Sequence, residues 1–302
     1  MATLRRWADE HQFVAQEIKG NRDDDGNILP KVTLLWMTPD PLGSIAAACR
    51  MYEGKATYKM SDISEEERRH YFNQAQATHL KAPLEFVKMH FFIEGVTRSF
   101  THQMVRQRTA VYSQESMRFA VKENMADEIS IPPSIALLPK HHPTRQTWDE
   151  AVDKISSTYN YLVANGIPAE DARGLAPHAT TTRLNFATDL RNLVEHAGNR
   201  LCTQAQFEWR IVFMEIVKAI NDYATDPSVQ SQNQWQFAEL AHSSLFRPVC
   251  YAMGKCPFKA TFDRSCTIRD RADAGKFDEI RNEEWLADPA AARLTSGGGG
   301  HD

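Results

Sequence analysis

Residues 31–54 read "KVTLLWMTPDPLGSIAAACRMYEG", and this stretch limits the possible folds more than any other. "KVTLLW" (31–36) is rich in β-branched and large apolar residues, which suit a pleated, half-buried strand. "TPDPLG" sets a turn, because proline fixes its own φ and disfavours helix in the residue before it. Ser44 is placed to cap a helix of small residues running to Gly54. A strand delivered directly into a helix is an α/β opening.

The chain continues in the same manner. Ser64 to His79 reads as a capped helix with acids in its first turn, and residues 82–95 ("APLEFVKMHFFIEG") alternate as a strand ending at Gly95. Val96, Phe100 and Met104 stand four apart and make one buried helical stripe across 96–107. Residues 122–146 hold four prolines and read as a loop-like insertion. Helices are expected at 147–165 and 168–175, a strand in "ATTTRLNFAT", and helices again over 189–197 and 203–224. Residues 1–30 end in the acidic, turn-rich "GNRDDDGNILP" and form an N-terminal extension with an exposed hairpin or loop. The resulting plan is one domain over 31–255 and a Cys-containing extension over 256–302, with a charged tail from about 270 expected to be disordered. No internal repeat interrupts it.

A formal net charge of -4, from 35 Lys+Arg against 39 Asp+Glu, argues against a general polyanion binder, so nucleic acid is not an expected partner. No window approaches the roughly 18 uninterrupted apolar residues of a membrane span, and the first residues are too charged for a secretory signal. A soluble, cytoplasmic protein is expected. Cys49, Cys202, Cys250, Cys256 and Cys266 are expected to be reduced thiols in a chain too large to need disulfide staples. The last three lack a CxxC pair and supply only three sulfur ligands, so no metal is expected.

"RQRTAVYSQESMRF" (106–119) concentrates Arg106, Arg108 and Arg118 with Tyr112, Ser113 and Ser116. Guanidinium is a planar fork of donors that stays charged and suits phosphate and carboxylate. The composition fits a nucleotide phosphate pocket, and it equally fits a solvated surface loop. A second group lies in the later half: Arg173, Arg191 and Arg200, with Asp189, Asn192, Glu195, His196 and Asn199. Arg191 and Glu195 are also an ordinary (i, i+4) helix pair. Arg200 ends its helix beside Gly198 and Asn199, where its fork can reach into a cleft. Two groups in different halves suggest convergence on one polyanionic ligand, or on two. G-x-G-x-x-G, the Walker loop, HExxH and G-x-S-x-G are all absent. No protein nucleophile stands out, so chemistry here would rest on a bound cofactor.

These residues resemble the flavin-dependent thymidylate synthases, whose signature runs Arg-His-Arg, seven residues, then Ser. The counterpart is Arg106, Gln107, Arg108, seven residues, Ser116. "TPDPLGSIAAACRMY", "HLKAPLEFVKMHFFIEGVTRSFTHQMVRQR", "EDARGLAP", "DLRNLVEHAGNR" and "AQFEWR" resemble further family segments, in the family's order and spacing. The resemblance covers about 31–121 and 146–225. It implies an α/β (α+β) fold with a central mixed or antiparallel sheet flanked by long helices. It also implies a homotetramer with active sites where subunits meet. The implied reaction is reductive methylation of dUMP to dTMP, with FAD as cofactor and NADPH and methylenetetrahydrofolate as co-substrates, and without a cysteine nucleophile.

Carried over by position, Gln103, Arg106, Ser116, Met117, Arg118, Arg173 and Arg200 look like dUMP contacts, with Gln114 and Glu115 joining through backbone. Arg106, Gln107, Arg108, Gln114, Asp189, Leu190, Arg191 and Glu195 look like FAD contacts, with His79 and Ala82 in a loop that approaches the flavin. Arg200 matches the catalytic position that stabilises the uracil anion when the N3 proton is lost. Gln107, Phe86 and Gln204 stand where family histidines are common, and each replacement removes a titratable ring. "HLKAPLE" is one residue longer than the family's loop. Asp189 and Glu195 replace residues that are often amides, which puts a carboxylate beside FAD phosphates unless Arg191 neutralises it. A related enzyme modifying C5 of a pyrimidine nucleotide otherwise, such as a dUMP hydroxymethylase, and a non-catalytic nucleotide- or flavin-binding homologue remain alternatives.

Overall fold

Asp40 and Pro41 start the first long helix. In the computed structural model, which describes residues 13–14, 18, 20–23, 26–202, 205–227, 233–253 and 256–257, strand β4 (Lys31–Met37) feeds helix α1 (Pro41–Tyr52) across a tight turn. The Asp40 carboxylate accepts from Gly43 N at 2.9 Å, and Pro41 sits in the first turn, where a missing N–H is harmless. Ser44 is therefore inside the helix and does not cap it. The Ser64 cap is present: its hydroxyl accepts from Glu67 N, and the Glu67 carboxylate returns to Ser64 N, closing a capping box on helix α2 (Glu65–Ala77).

Before β4 lie β1 (Phe13–Val14) and a short antiparallel pair, β2 (Asn21–Arg22) with β3 (Ile28–Leu29). Residues 82–86 form a 3-10 turn, and strand β5 (Lys88–Thr97) begins only after it. The expected 82–95 strand is thus shifted, because Ala82-Pro83 opens a turn rather than an extended segment. Gly95 does not end β5; it sits inside the strand with φ 74. Helix α3 (Arg98–Met104) follows, capped by Thr97 and burying Phe100, Thr101 and Met104; it is shorter than the expected 96–107, and Val96 of the expected stripe is buried in β5 instead, because Thr97 caps the helix.

The remaining elements are β6 (Val111–Gln114), β7 (Ala120–Val121), α4 (Pro133–Ala136), α5 (Pro143–Ala164), α6 (Ala169–Ala172), β8 (Thr181–Asp189), α7 (Leu190–Arg200), α8 (Phe207–Thr225), α9 (Gln234–Ala241) and α10 (Val249–Met253). The fold is α/β with an antiparallel central sheet. Its four strands run in the order β4-β5-β8-β6, and β1 pairs with β7 in parallel.

Two compact units partition the chain. The first comprises Met1–Lys31, Ile93–Gln107 and Tyr112–Asn185; the second comprises Val32–Phe92, Arg108–Val111 and Phe186–Asp302. In the first, Met117, Met125, Ile129, Tyr159 and Ala172 form a core against the apolar face of α5. In the second, Ala46, Ile63 and Tyr71 pack α1 on α2, while Trp209 and Phe213 stack along α8. Each such large side chain contributes roughly 1.5–3 kcal/mol when buried. No helix among the described residues is long and apolar enough to cross a membrane. Gln204, Cys266 and the tail from 270 lie outside the described residues.

Candidate active site

In the first unit the segment after α3 folds into a turn that presents the arginine and hydroxyl cluster. Phe119 N and Ala120 N both donate to Ser116 O, at 3.2 and 3.0 Å, and Ser116 Oγ accepts from Arg118 N. Gln114 Nε2 donates to Thr101 Oγ1 at 3.1 Å, tying β6 to α3. Met117 is buried in the core, so its side chain anchors the turn from below. Glu115 is held at both backbone and side chain. Its N–H donates to Arg183 O, its carbonyl accepts from Arg98 Nη2 at 3.1 Å, and its carboxylate pairs with Arg183 and Lys122, each at 3.1 Å.

Arg118 pairs with Glu170 at 2.9 Å, and Arg173 Nε donates to Glu170 O at 3.0 Å, so both arginines meet one residue of α6. Burial pushes the Arg98 guanidinium's pKa down; Glu115 opposes that shift and the nearby Arg173 cation adds to it. The Arg98 Nε is buried and has no hydrogen-bond partner among the described residues. A buried guanidinium in the field of a second cation, with its Nε donor unused among the described residues, suits an anion. Tyr112 donates its hydroxyl toward Gln107 Oε1 at 3.4 Å, and burial pushes its pKa up to about 12.

In the second unit, β8 runs straight into α7 at Asp189. The Asp189 carboxylate accepts from Asn192 N at 2.9 Å, capping α7, and pairs with Lys88 Nζ at 3.1 Å. Arg191 does not neutralise it: that guanidinium is engaged by Glu195 at 2.9 Å and Glu85 at 2.5 Å. Leu190 is buried and its N–H donates to Val87 O. His79 is exposed, Ala82 is half-buried at the start of its 3-10 turn, and Phe86 is 62% exposed. Arg200, at the end of α7, lies 4.7 Å above the Trp209 ring, and burial lowers its pKa. One turn earlier, His196 meets the same ring edge-on at 4.8 Å. Burial, with Arg200 adding to it, pushes the His196 pKa down to about 4.

A family model described as thymidylate synthase complementing protein matches residues 33–224. A flavin-dependent thymidylate synthase of Geobacter sulfurreducens is 31% identical over 201 residues, spanning 64% of this chain and 83% of that relative. The one from Pyrococcus furiosus is 30% identical over 256 residues, spanning 83% of this chain and 99% of its own length. The chain belongs to the flavin-dependent thymidylate synthase family. The crystal structure of thymidylate synthase X from Helicobacter pylori with FAD and dUMP matches 70% of this chain at 16% identity and a TM-score of 0.49.

Within this flavin-dependent thymidylate synthase family member, the first unit holds Gln103, Arg106, Gln107, Gln114, Glu115, Ser116, Met117, Arg118 and Arg173. The second holds His79, Ala82, Arg108, Asp189, Leu190, Arg191, Glu195 and Arg200. Arg106 and Arg108 are exposed and form no ion pair among the described residues. Sequence reading missed Arg98, Lys122, Lys88 and Glu170. For Arg98 a signal existed, a third arginine one helix upstream of the signature; for the others the partners are too distant in the chain to be read. Among the described residues no group of three or more His, Cys, Asp and Glu is arranged to hold a metal, and no disulfide forms.

Proposed function

We propose that this chain catalyses reductive methylation of dUMP to dTMP, taking the one-carbon unit from methylenetetrahydrofolate and reducing equivalents from NADPH through FAD. The observation that carries the reading is the turn clamped at Glu115, where Arg98 donates to the Glu115 carbonyl and Arg118 and Arg173 both meet Glu170, in a chain of this family. The dUMP phosphate answers that charge, with Arg106, Arg118, Arg173, Gln103 and Ser116 as its contacts and the 114–117 backbone closing over it. FAD is met by Arg106, Gln107 and Gln114 of the first unit and by His79, Ala82, Arg108, Asp189, Leu190, Arg191 and Glu195 of the second; Arg106 and Arg108, which form no ion pair among the described residues, suit its phosphates. When bound, FAD supplies the reducing equivalent that no side chain of the protein can provide.

Arg200 acts as the electrostatic catalyst. A guanidinium already seated on Trp209 needs no reorganisation when negative charge develops on the uracil as N3 loses its proton. Lys88 neutralises Asp189, which removes the repulsion that a lone carboxylate would exert on FAD phosphates. The working form is a cytoplasmic homotetramer with active sites completed between subunits. Residues 31–255 are the catalytic domain, carrying the 122–146 insertion, and 1–30 and 256–302 are extensions.

The test is product analysis by mass spectrometry on purified protein supplied with FAD, NADPH, methylenetetrahydrofolate and dUMP. The methyl product dTMP is expected. A hydroxymethyl product, or FAD uptake with unchanged dUMP, overturns the reading.

A further inference from the structure

Lys122 is fully buried, with 0% of its side chain exposed, between two carboxylates that are themselves nearly covered. Its Nζ lies 3.1 Å from Glu115 Oε2 and 2.5 Å from Glu128 Oε2, the second contact being an ion pair without hydrogen-bond alignment. Burial pushes the Glu128 pKa up, and the Lys122 cation opposes that shift. Arg183 takes the other oxygen of Glu115. Two cations therefore balance two anions in a closed set. Lys122 N also donates to the Tyr159 hydroxyl of α5 at 3.4 Å.

The placement of this set along the chain gives it a consequence for the turn. Lys122 follows Glu115 by seven residues, and between them Ser116 O collects two N–H donors, so the 115–122 ion pair closes the base of the turn. Everything proposed to meet the nucleotide in this turn, from Gln114 to Arg118, hangs from that base. We propose that Lys122 is a positioning residue for the pyrimidine nucleotide: it holds the Gln114–Arg118 turn in its receiving shape without touching substrate. This rests on the reading that the turn binds dUMP.

Removing only the cation leaves Glu115 and Glu128 facing each other, with Arg183 the one guanidinium among the described residues that pairs with either carboxylate. The other groups facing them are Arg98, which meets the Glu115 carbonyl, and the Tyr159 hydroxyl. A buried uncompensated carboxylate is relieved most cheaply by taking up a proton. In Lys122→Met the pair therefore retains one proton at low pH and keeps its shape. The pKa of that retained proton is raised in the folded state, so the stabilisation is present below it and is lost as pH rises through it. Above it, two ionised carboxylates push apart and the base of the turn opens.

The experiment is calorimetric titration of the FAD-loaded, full-length protein with dUMP at about pH 6 and about pH 8.5. Each variant is compared with wild type at the same pH, because the phosphate of dUMP itself titrates. For Lys122→Met the dissociation constant is expected to rise at least about tenfold over wild type at the higher pH and only about twofold at the lower. Lys122→Met with Glu128→Gln is expected to return to within about threefold of wild type at both, because the repelling charge is gone. A purely structural role would weaken binding equally at the two pH values, and that result overturns the proposal, as does a single variant matching wild type. Should Lys122→Met fail to accumulate, Lys122→Gln, which removes the same charge but keeps a polar reach, carries the same expectations. Wild type that takes up FAD but no dUMP sinks the functional reading instead.

Discussion

Replacing Gly95 by alanine tests whether β5 owes its position to a backbone approach that only glycine permits. Gly95 has φ 74, a conformation that L side chains rarely adopt. A Cβ built there would lie 2.5 Å from Leu29 O and 3.0 Å from Ile28 Cγ2. The carbonyl belongs to β3 and cannot rotate away, so the whole β2–β3 pair would have to retreat. Left-handed backbone costs a non-glycine residue about 1–2 kcal/mol, and overpacking adds about 1–3 kcal/mol, giving about 2–5 kcal/mol in all.

Gly54, just past the end of α1, provides the control. It has φ 72 but nothing within 4 Å of a built Cβ, so Gly54→Ala should cost only the backbone share of about 1–2 kcal/mol. At roughly 2 °C per kcal/mol for a chain of this size, thermal denaturation followed by circular dichroism should show roughly 4–10 °C lost for Gly95→Ala and roughly 2–4 °C for Gly54→Ala. Equal losses would mean that the contact with Leu29 contributes nothing. The reasoning would then fail.

Two further outcomes are expected. Arg200→Ala should lower the turnover of dUMP by at least about a hundredfold, read by steady-state kinetics, while the FAD absorbance per protein stays unchanged; equal loss of both would show that Arg200 holds the flavin instead. His196, whose folded pKa of about 4 lies below its ordinary 6.5, binds a proton more readily in the unfolded chain, so stability is lost as pH falls from about 6.5 toward 4. The loss is up to about 3 kcal/mol. His196→Phe, measured by urea unfolding at pH 7 and at pH 5, should show a smaller acid loss than wild type, and an identical loss would refute the burial argument.

The sequence told most where the physics is local. Ser64 and Glu67 form the reciprocal cap that their spacing announces, and Phe100 and Met104 are buried on one helix, whereas Val96, read as part of the same helical stripe, belongs to β5. At α1 the reading chose Ser44 over Asp40, although Pro41 directly after Asp40 marks a first helical turn. Gly95 was read as an end because glycine usually punctuates a strand; its function here depends on Leu29, which no window around residue 95 contains. The arginine cluster was visible as composition, but what organises it was not. Glu115, Lys122, Glu128 and Arg183 span 68 positions, and Asp189 finds its cation 101 residues earlier in Lys88. Periodicity carries no information about charge pairs that meet only after the chain has folded.

The division of the chain between its units also determines how the protein can be dissected. Each unit is assembled from three separate runs, and the backbone passes from one to the other after residues 31, 92, 107, 111 and 185. No single cut therefore releases either unit as an unbroken polypeptide. A deletion that passes residue 31 from the N-terminus, or residue 186 from the C-terminus, cuts into both units, and an isolated unit would require splicing runs that are not consecutive. Whatever trims this enzyme in a cell can remove its ends but not one of its halves.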